Sequence, residues 1–176
     1  MTQKIIITGT MGSGKSTVLS EFSKQGLFVI EEPARKILAE QRLFNGEGVP
    51  EENPSLFTHL LLSRSIHHYY EADKSNRDRV LFDRGIADNI AYAELFNLEI
   101  TPFETAASKF KFSPNVFFLP AWEEIYTTDD ERKMTYVQSR QFGDKLKQIY
   151  QRLGYNLIEV PKSSPLNRAN FILDKL

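Results

Sequence analysis

One stretch near the N-terminus constrains the chain more than any other: Ile5-Ile6-Ile7-Thr8-Gly9-Thr10-Met11-Gly12-Ser13-Gly14-Lys15-Ser16-Thr17. It reads as a buried strand, a glycine-rich turn and the first turn of a helix, and Gly9, Gly14, Lys15 and Ser16 satisfy GxxxxGK[ST], the P-loop pattern. Glycines allow the backbone to fold into a nest whose N–H groups converge on phosphate oxygens. The helix that follows adds unsatisfied N–H groups and the positive end of its dipole. The segment Gly9, Met11, Gly12, Ser13, Gly14, Lys15, Ser16 and Thr17 is therefore expected to hold the phosphates of a nucleotide. Lys15 is expected to reach the β- and γ-phosphates, and the Ser16 hydroxyl to ligate Mg²⁺.

The remaining chain supplies what such a loop needs around it. Further apolar runs rich in β-branched and aromatic residues lie at Leu27–Ile30, Arg79–Asp83, Asn115–Leu119 and Asn156–Val160. Helical patterns separate them, at about Ser16–Lys24, Pro33–Phe44, Ser55–Asn76, Ile86–Phe96, Pro102–Phe110, Asp130–Leu153 and Leu166–Leu176. Five short strands alternating with helices predict an α/β fold with a parallel sheet covered on both faces. A chain of 176 residues suits one domain. The Asn45–Pro54 loop, rich in Gly and Pro, is expected to be mobile.

Bulk properties remove several classes of function. A formal net charge of -1 provides no basic field for nucleic acid. There are no cysteines, hence no disulfide, thiolate metal site or cysteine nucleophile, which fits a reducing cytoplasm. No signal peptide is expected, since a core strand follows the first residues directly, and no apolar run approaches a membrane span. His59, His67 and His68 have no arrangement suited to zinc.

In open parallel sheets, ligands bind beyond the carboxyl ends of the strands, so those ends carry the chemistry. The third strand ends in Asp83, placed to hold Mg²⁺ opposite Ser16, and Arg84 follows as a bidentate clamp for a phosphate or substrate group. The second strand ends in Glu31-Glu32, where one carboxylate can take the proton of an attacking hydroxyl while the other favours the next helix start. Glu32 is preferred because it abuts Pro33, but both remain open. After the fourth strand, the charged run Thr127–Lys133 offers cations for a mobile arm over the phosphates: Arg132 first, then Lys133, then Arg140 further on. Phe57, Leu60, Leu61 and Arg64 share one face of the long helix, Trp122 serves packing or a lid, and Lys162–Pro165 lies where an adenine ring can be read.

Several segments resemble known families. Asp83-Arg84-Gly85-Ile86-Ala87-Asp88-Asn89-Ile90-Ala91-Tyr92 is similar to the "DR…AY" segment of thymidylate kinases, and Val29–Arg35 resembles the strand-end Glu-Pro segment of deoxynucleoside kinases. The chain as a whole, including Phe117–Tyr126 and Leu153–Pro161, resembles the AAA-like P-loop domain shared with NadR-type ribosylnicotinamide kinases. That resemblance implies a three-layer P-loop NTPase fold with sheet order 2-3-1-4-5 and a lid at about residues 121–140. It also implies Glu32 as general base, and Arg84 and Arg132 as phosphate-binding cations. Two departures stand out. The lid segment carries only Arg132 and Lys133, and Asp83 stands where deoxynucleoside kinases carry Glu. A ring-forming motor is not expected from a chain this short. The resulting expectation is a Mg²⁺-ATP-dependent kinase of a small nucleoside-like or nucleotide-like acceptor. The alternative is an ATP-operated switch with slow hydrolysis and a protein partner, in which the Asn45–Asn53 loop responds to the nucleotide.

Overall fold

The computed structural model describes residues 2–127 and 134–176. β1 (Gln3–Gly9) is the central strand of a five-stranded sheet. Its three consecutive isoleucines are fully buried because successive side chains leave opposite faces and both faces are covered. β2 (Val29–Ile30), β3 (Arg79–Asp83), β4 (Asn115–Leu119) and β5 (Asn156–Glu159) complete it in the order β2-β3-β1-β4-β5. Every pairing is parallel, with Ile7 level with Asp83 on one side and with Phe117 on the other. This register brings the ends of β1 and β3 together, so the glycine-rich loop and Asp83 emerge side by side.

Alternation along β1 sorts the helices. Ile6 enters a core built with α2 (Ala34–Leu43), α3 (Pro54–Lys74), α4 (Asp88–Leu95), α5 (Thr101–Lys109) and α6 (Tyr136–Arg152). Ile5 and Ile7 enter the opposite core with α1 (Lys15–Lys24) and α7 (Pro165–Leu173). The result is helix, sheet and helix in three layers. Among the described residues, no helix is long and apolar enough to cross a membrane.

Local chemistry sets the ends. α1 stops in a Schellman motif, in which the Gly26 amide donates to Ser23 O (3.0 Å) and the Leu27 amide to Phe22 O (3.0 Å). That turn consumes Leu27, so β2 pairs with β3 only from Val29 rather than over the expected Leu27–Ile30. α6, expected from Asp130, begins among the described residues at Tyr136, where Thr135 and Gln138 form a reciprocal capping box. The loop after α2 is tied to its neighbours at three points. The Gly48 amide donates to Gln41 Oε1 (2.9 Å), Val49 is buried, and Asn53 Oδ1 caps α3 by accepting from the Leu56 amide (2.9 Å).

Candidate active site

The loop Gly9–Lys15 is fixed from outside through its carbonyls. Gly12 (φ 74°) and Gly14 (φ 77°) occupy the left-handed region, which strains any other residue. At Gly12 there is also no room, since the Tyr126 ring lies 2.5 Å from where a Cβ would sit. Arg84 Nη1 donates to Gly9 O (3.1 Å), Ser139 Oγ of α6 to Met11 O (2.7 Å), and Arg168 Nη2 of α7 to Ser13 O (2.9 Å). Ser13 Oγ closes on Thr10 O (2.8 Å) and Thr17 Oγ1 on Gly14 O (2.7 Å). With the carbonyls engaged on the convex side, the amides can line the concave side, as an anion nest requires. Ser16 and Thr17 lie exposed on the first turn of α1.

Lys15 is buried and its ammonium donates to Asp83 Oδ1. Burial raises the Asp83 carboxyl above its ordinary value and Glu32 adds to that, against the opposing pull of Lys15 and Arg84. The next residue, Arg84, is the one non-glycine left-handed residue at a strand end among the described residues (φ 70°). That strained turn carries its side chain beneath the loop. Arg84 Nε lies 3.0 Å from Glu32 Oε1, and Nη1 donates to Asp88 Oδ1 (2.9 Å). Asp88 is saturated with donors: Thr8 Oγ1 (2.6 Å), the Gly85 amide (2.9 Å) and Tyr150 Oη (2.5 Å) complete its set.

Glu32 also accepts from Tyr92 Oη at 3.0 Å. Burial alone would raise its carboxyl, but Arg84 and Lys15 outweigh burial and hold it below the ordinary glutamate value, so it stays ionised at neutral pH. Burial and the neighbouring Glu32 push the Tyr92 phenol well up, which keeps it a donor. Glu31 behaves differently. It is 70% exposed and pairs with Lys36 at 3.2 Å. A testable consequence concerns Tyr92. Because Glu32 has a lower value folded than unfolded, its contribution to stability is present above about pH 4.5 and lost as pH falls through the lowered value. Tyr92→Phe is expected to lose about 1.5–3 kcal/mol near neutrality. The gap from the parent is expected to narrow as Glu32 protonates, as followed by urea unfolding across pH.

Between the ends of β2 and β3 and helices α3 and α4 lies a cleft of about 370 Å³, measured out to open solvent. Glu32, Asp83 and Arg84 form its floor near the loop, and Leu61, Ser65 and His68 of α3 form its far wall. Burial, then His67, holds His68 below its ordinary value, so it is neutral near pH 7. His59 instead packs on Phe103, and Arg64 binds Glu40 (2.9 Å). Arg140 lies apart, in a second crevice of about 450 Å³ between Thr10, the end of β4 and α6. Arg132 and Lys133 fall outside the described residues. Trp122 lies under the Arg168 guanidinium (5.5 Å), and Ser164 caps α7.

Asp88, Thr8, Tyr92, Tyr126, Tyr150, Ser139 and Arg168 had no chemical role in the sequence reading. The first was accessible in principle, because Arg84 and Asp88 stand four apart at a helix start, the spacing of an ion pair. Ser139 and Arg168 lie 128 and 155 residues from their partners and leave no local signal.

The donor set suits Mg²⁺. Ser16 and Asp83 present hard oxygens on adjoining elements, and a metal completed by phosphate and water would need few from the protein. Among the described residues, no group of three or more His, Cys, Asp or Glu could form a self-sufficient cage.

A family described as an AAA domain matches residues 4–168. No curated protein matches the chain. Among solved structures, the chain is similar to deoxyadenosine kinase from M. mycoides with bound dATP (18% identity, 98% of each chain, TM-score 0.67). It is also similar to NadR protein in complex with NR, with 17% identity over 98% of this chain and 49% of that one (TM-score 0.65). A third similarity is to thymidylate kinase from Ehrlichia chaffeensis, with 16% identity, 98% of each chain and TM-score 0.62. At these identities the likeness is one of fold, and the fold is that of P-loop kinases.

Proposed function

From a chain that belongs to the AAA domain family and has the fold of P-loop kinases, we propose a Mg²⁺-ATP-dependent phosphotransferase acting on a hydroxyl of a small molecule. One observation carries the reading: an ionised carboxylate, Glu32, is held by Arg84 and Tyr92 in a cleft whose floor continues into the Lys15–Asp83 pair of the phosphate loop. The loop amides and Lys15 bind the phosphates, with Lys15 exchanging the Asp83 carboxylate for phosphate oxygens. Asp83, so released, and Ser16 hold Mg²⁺, which when bound neutralises charge on the phosphates. Glu32 accepts the hydroxyl proton as the acceptor oxygen attacks the γ-phosphorus.

Arg84 is assigned to orienting Glu32 and bracing Gly9 O, since clamping a phosphate would require it to leave two carboxylates. The switch reading has less support, because its responsive loop is anchored through Gln41, Val49 and Asn53. The absence of cysteine supports a cytoplasmic setting.

Glu32→Gln keeps the shape and the Tyr92 contact but removes the base. In an acceptor-dependent transfer assay kcat is expected to fall about 10²–10⁴-fold, with Mg²⁺-ATP binding retained. An undiminished kcat would remove Glu32 from the chemistry.

A further inference from the structure

We infer that the acceptor is a ring-bearing alcohol with no anionic group, uncharged or cationic, and that phosphate monoesters and carboxylates are excluded. The inference rests on the kinase reading of the same site and narrows it.

The charge inventory of the cleft carries the argument. Glu31, Glu32, Asp83 and Asp88 line it, and among the described residues the sole permanently charged cation that does so is Arg84. Arg84 is largely committed to neighbouring carboxylates. Its side chain is 6% exposed, Nε faces Glu32, and Nη1 is shared between Asp88 and Gly9 O. A phosphate monoester would compete with two carboxylates for the same guanidinium, and drawing it away would leave both unpaired in a buried setting. His68, the remaining ionisable side chain of the far wall, is kept neutral by burial and by the positive neighbours His67, Arg64 and Lys36. Two cations outside the lining, Lys36 and Arg64, are paired with Glu31 (3.2 Å) and Glu40 (2.9 Å). An anion placed against Glu32 therefore meets like charge where the nearby cations, Arg84 and Lys15, are already paired with the acids of the cleft.

The walls select the body of the ligand. Ile30, Leu61, Phe82 and Phe112 offer apolar surface, while the polar groups gather at the loop end. That division suits a flat or ring-shaped body whose hydroxyl points at Glu32. In the reaction, the acceptor oxygen bonds to the γ-phosphorus as the bond from that phosphorus to the β–γ bridging oxygen breaks. The hydroxyl proton goes to Glu32, and the products are a phosphate monoester and ADP. The monoester is a dianion formed in an acidic cleft, so charge repulsion favours its release and prevents a second transfer to it.

The test uses the whole chain with Mg²⁺-ATP and paired probes, each common nucleoside beside its own 5′-monophosphate. ADP release and product mass are followed. Binding of each probe is measured by calorimetry with the phosphate loop saturated by a non-hydrolysable ATP analogue. The expected result is turnover of at least one nucleoside with a kcat/KM about 100-fold or more above that of its monophosphate. A monophosphate that is turned over or bound better than its nucleoside overturns the inference and leaves the kinase reading standing. Binding of Mg²⁺-ATP with no probe bound or turned over also overturns it, because the cleft then does not take ring-bearing alcohols. Failure to bind or consume Mg²⁺-ATP overturns the kinase reading, and the inference with it.

Discussion

Lys15→Ala is expected to reduce phosphoryl transfer by about 10²–10³-fold or more, the scale seen when one preorganised donor to developing charge is removed. The structure explains why the effect should be large. Lys15 is buried at the first turn of α1, and its ammonium is held by Asp83 at the end of β3. A charge in a site shielded from water acts more strongly than an exposed one. Deleting it removes the phosphate contact and leaves Asp83 buried without its partner, in a setting where burial already raises its carboxyl. Asp83 can answer by taking a proton, so the fold is expected to survive. Circular dichroism and the melting profile should stay close to the parent while the transfer assay fails. A rate within tenfold of the parent would show that the phosphates bind elsewhere.

Asp88→Ala is expected to have the largest effect on stability. Asp88 is 2% exposed and accepts from Thr8, Arg84, Gly85 and Tyr150 at once. Burial, and then the adjacent Asp88 charge, push the Tyr150 phenol well above its ordinary value, so it is a permanent donor. Alanine would orphan a buried guanidinium and a buried phenol together. Loss of one member of a buried pair costs about 3–5 kcal/mol. In a domain of this size that corresponds to a fall in melting temperature of roughly 10 °C. Urea unfolding measures it directly, and a loss below about 1 kcal/mol would mean that the cluster is not a structural hub. Because the same residue braces Arg84, which in turn faces Glu32 and Gly9 O, transfer by the surviving folded fraction should also decline.

These two predictions differ in how far the sequence alone could have reached them. Lys15 was legible at once, because a phosphate nest needs contiguous residues and its pattern survives in the linear chain. The strands were legible for a similar reason: continuous apolar runs such as Ile5–Ile7 and Val80–Phe82 can be satisfied only by burial on both faces. Through its resemblance to nucleotide and nucleoside kinases, the chain also foretold the order 2-3-1-4-5 that the sheet adopts, and the AAA domain match agrees with the family expected.

The cluster around Asp88 was not legible in the same way. Thr8, the Arg84–Asp88 pair and Tyr150 come from three places in the chain, and only the parallel register of β1 and β3 with α6 packed over them makes them neighbours. The choice between Glu31 and Glu32 likewise lay beyond local pattern. Adjacent residues on an extended segment point opposite ways, and either register is compatible with Pro33. Tertiary structure turns Glu32 inward onto Arg84 and Tyr92 and leaves Glu31 at the rim with Lys36. The strained backbone at Arg84 settles the rest. Its φ of 70° carries the guanidinium to Glu32, Asp88 and the loop carbonyl of Gly9, contacts that no local pattern announces.

The sequence by itself determined where the glycine-rich loop lies and that it follows the central strand, because those properties depend on residues close together in the chain. Only the tertiary structure decided which side chains brace that loop and what charge the neighbouring cleft presents, because those depend on pairs 60 to 155 residues apart whose energies exist only once burial has removed water from between them.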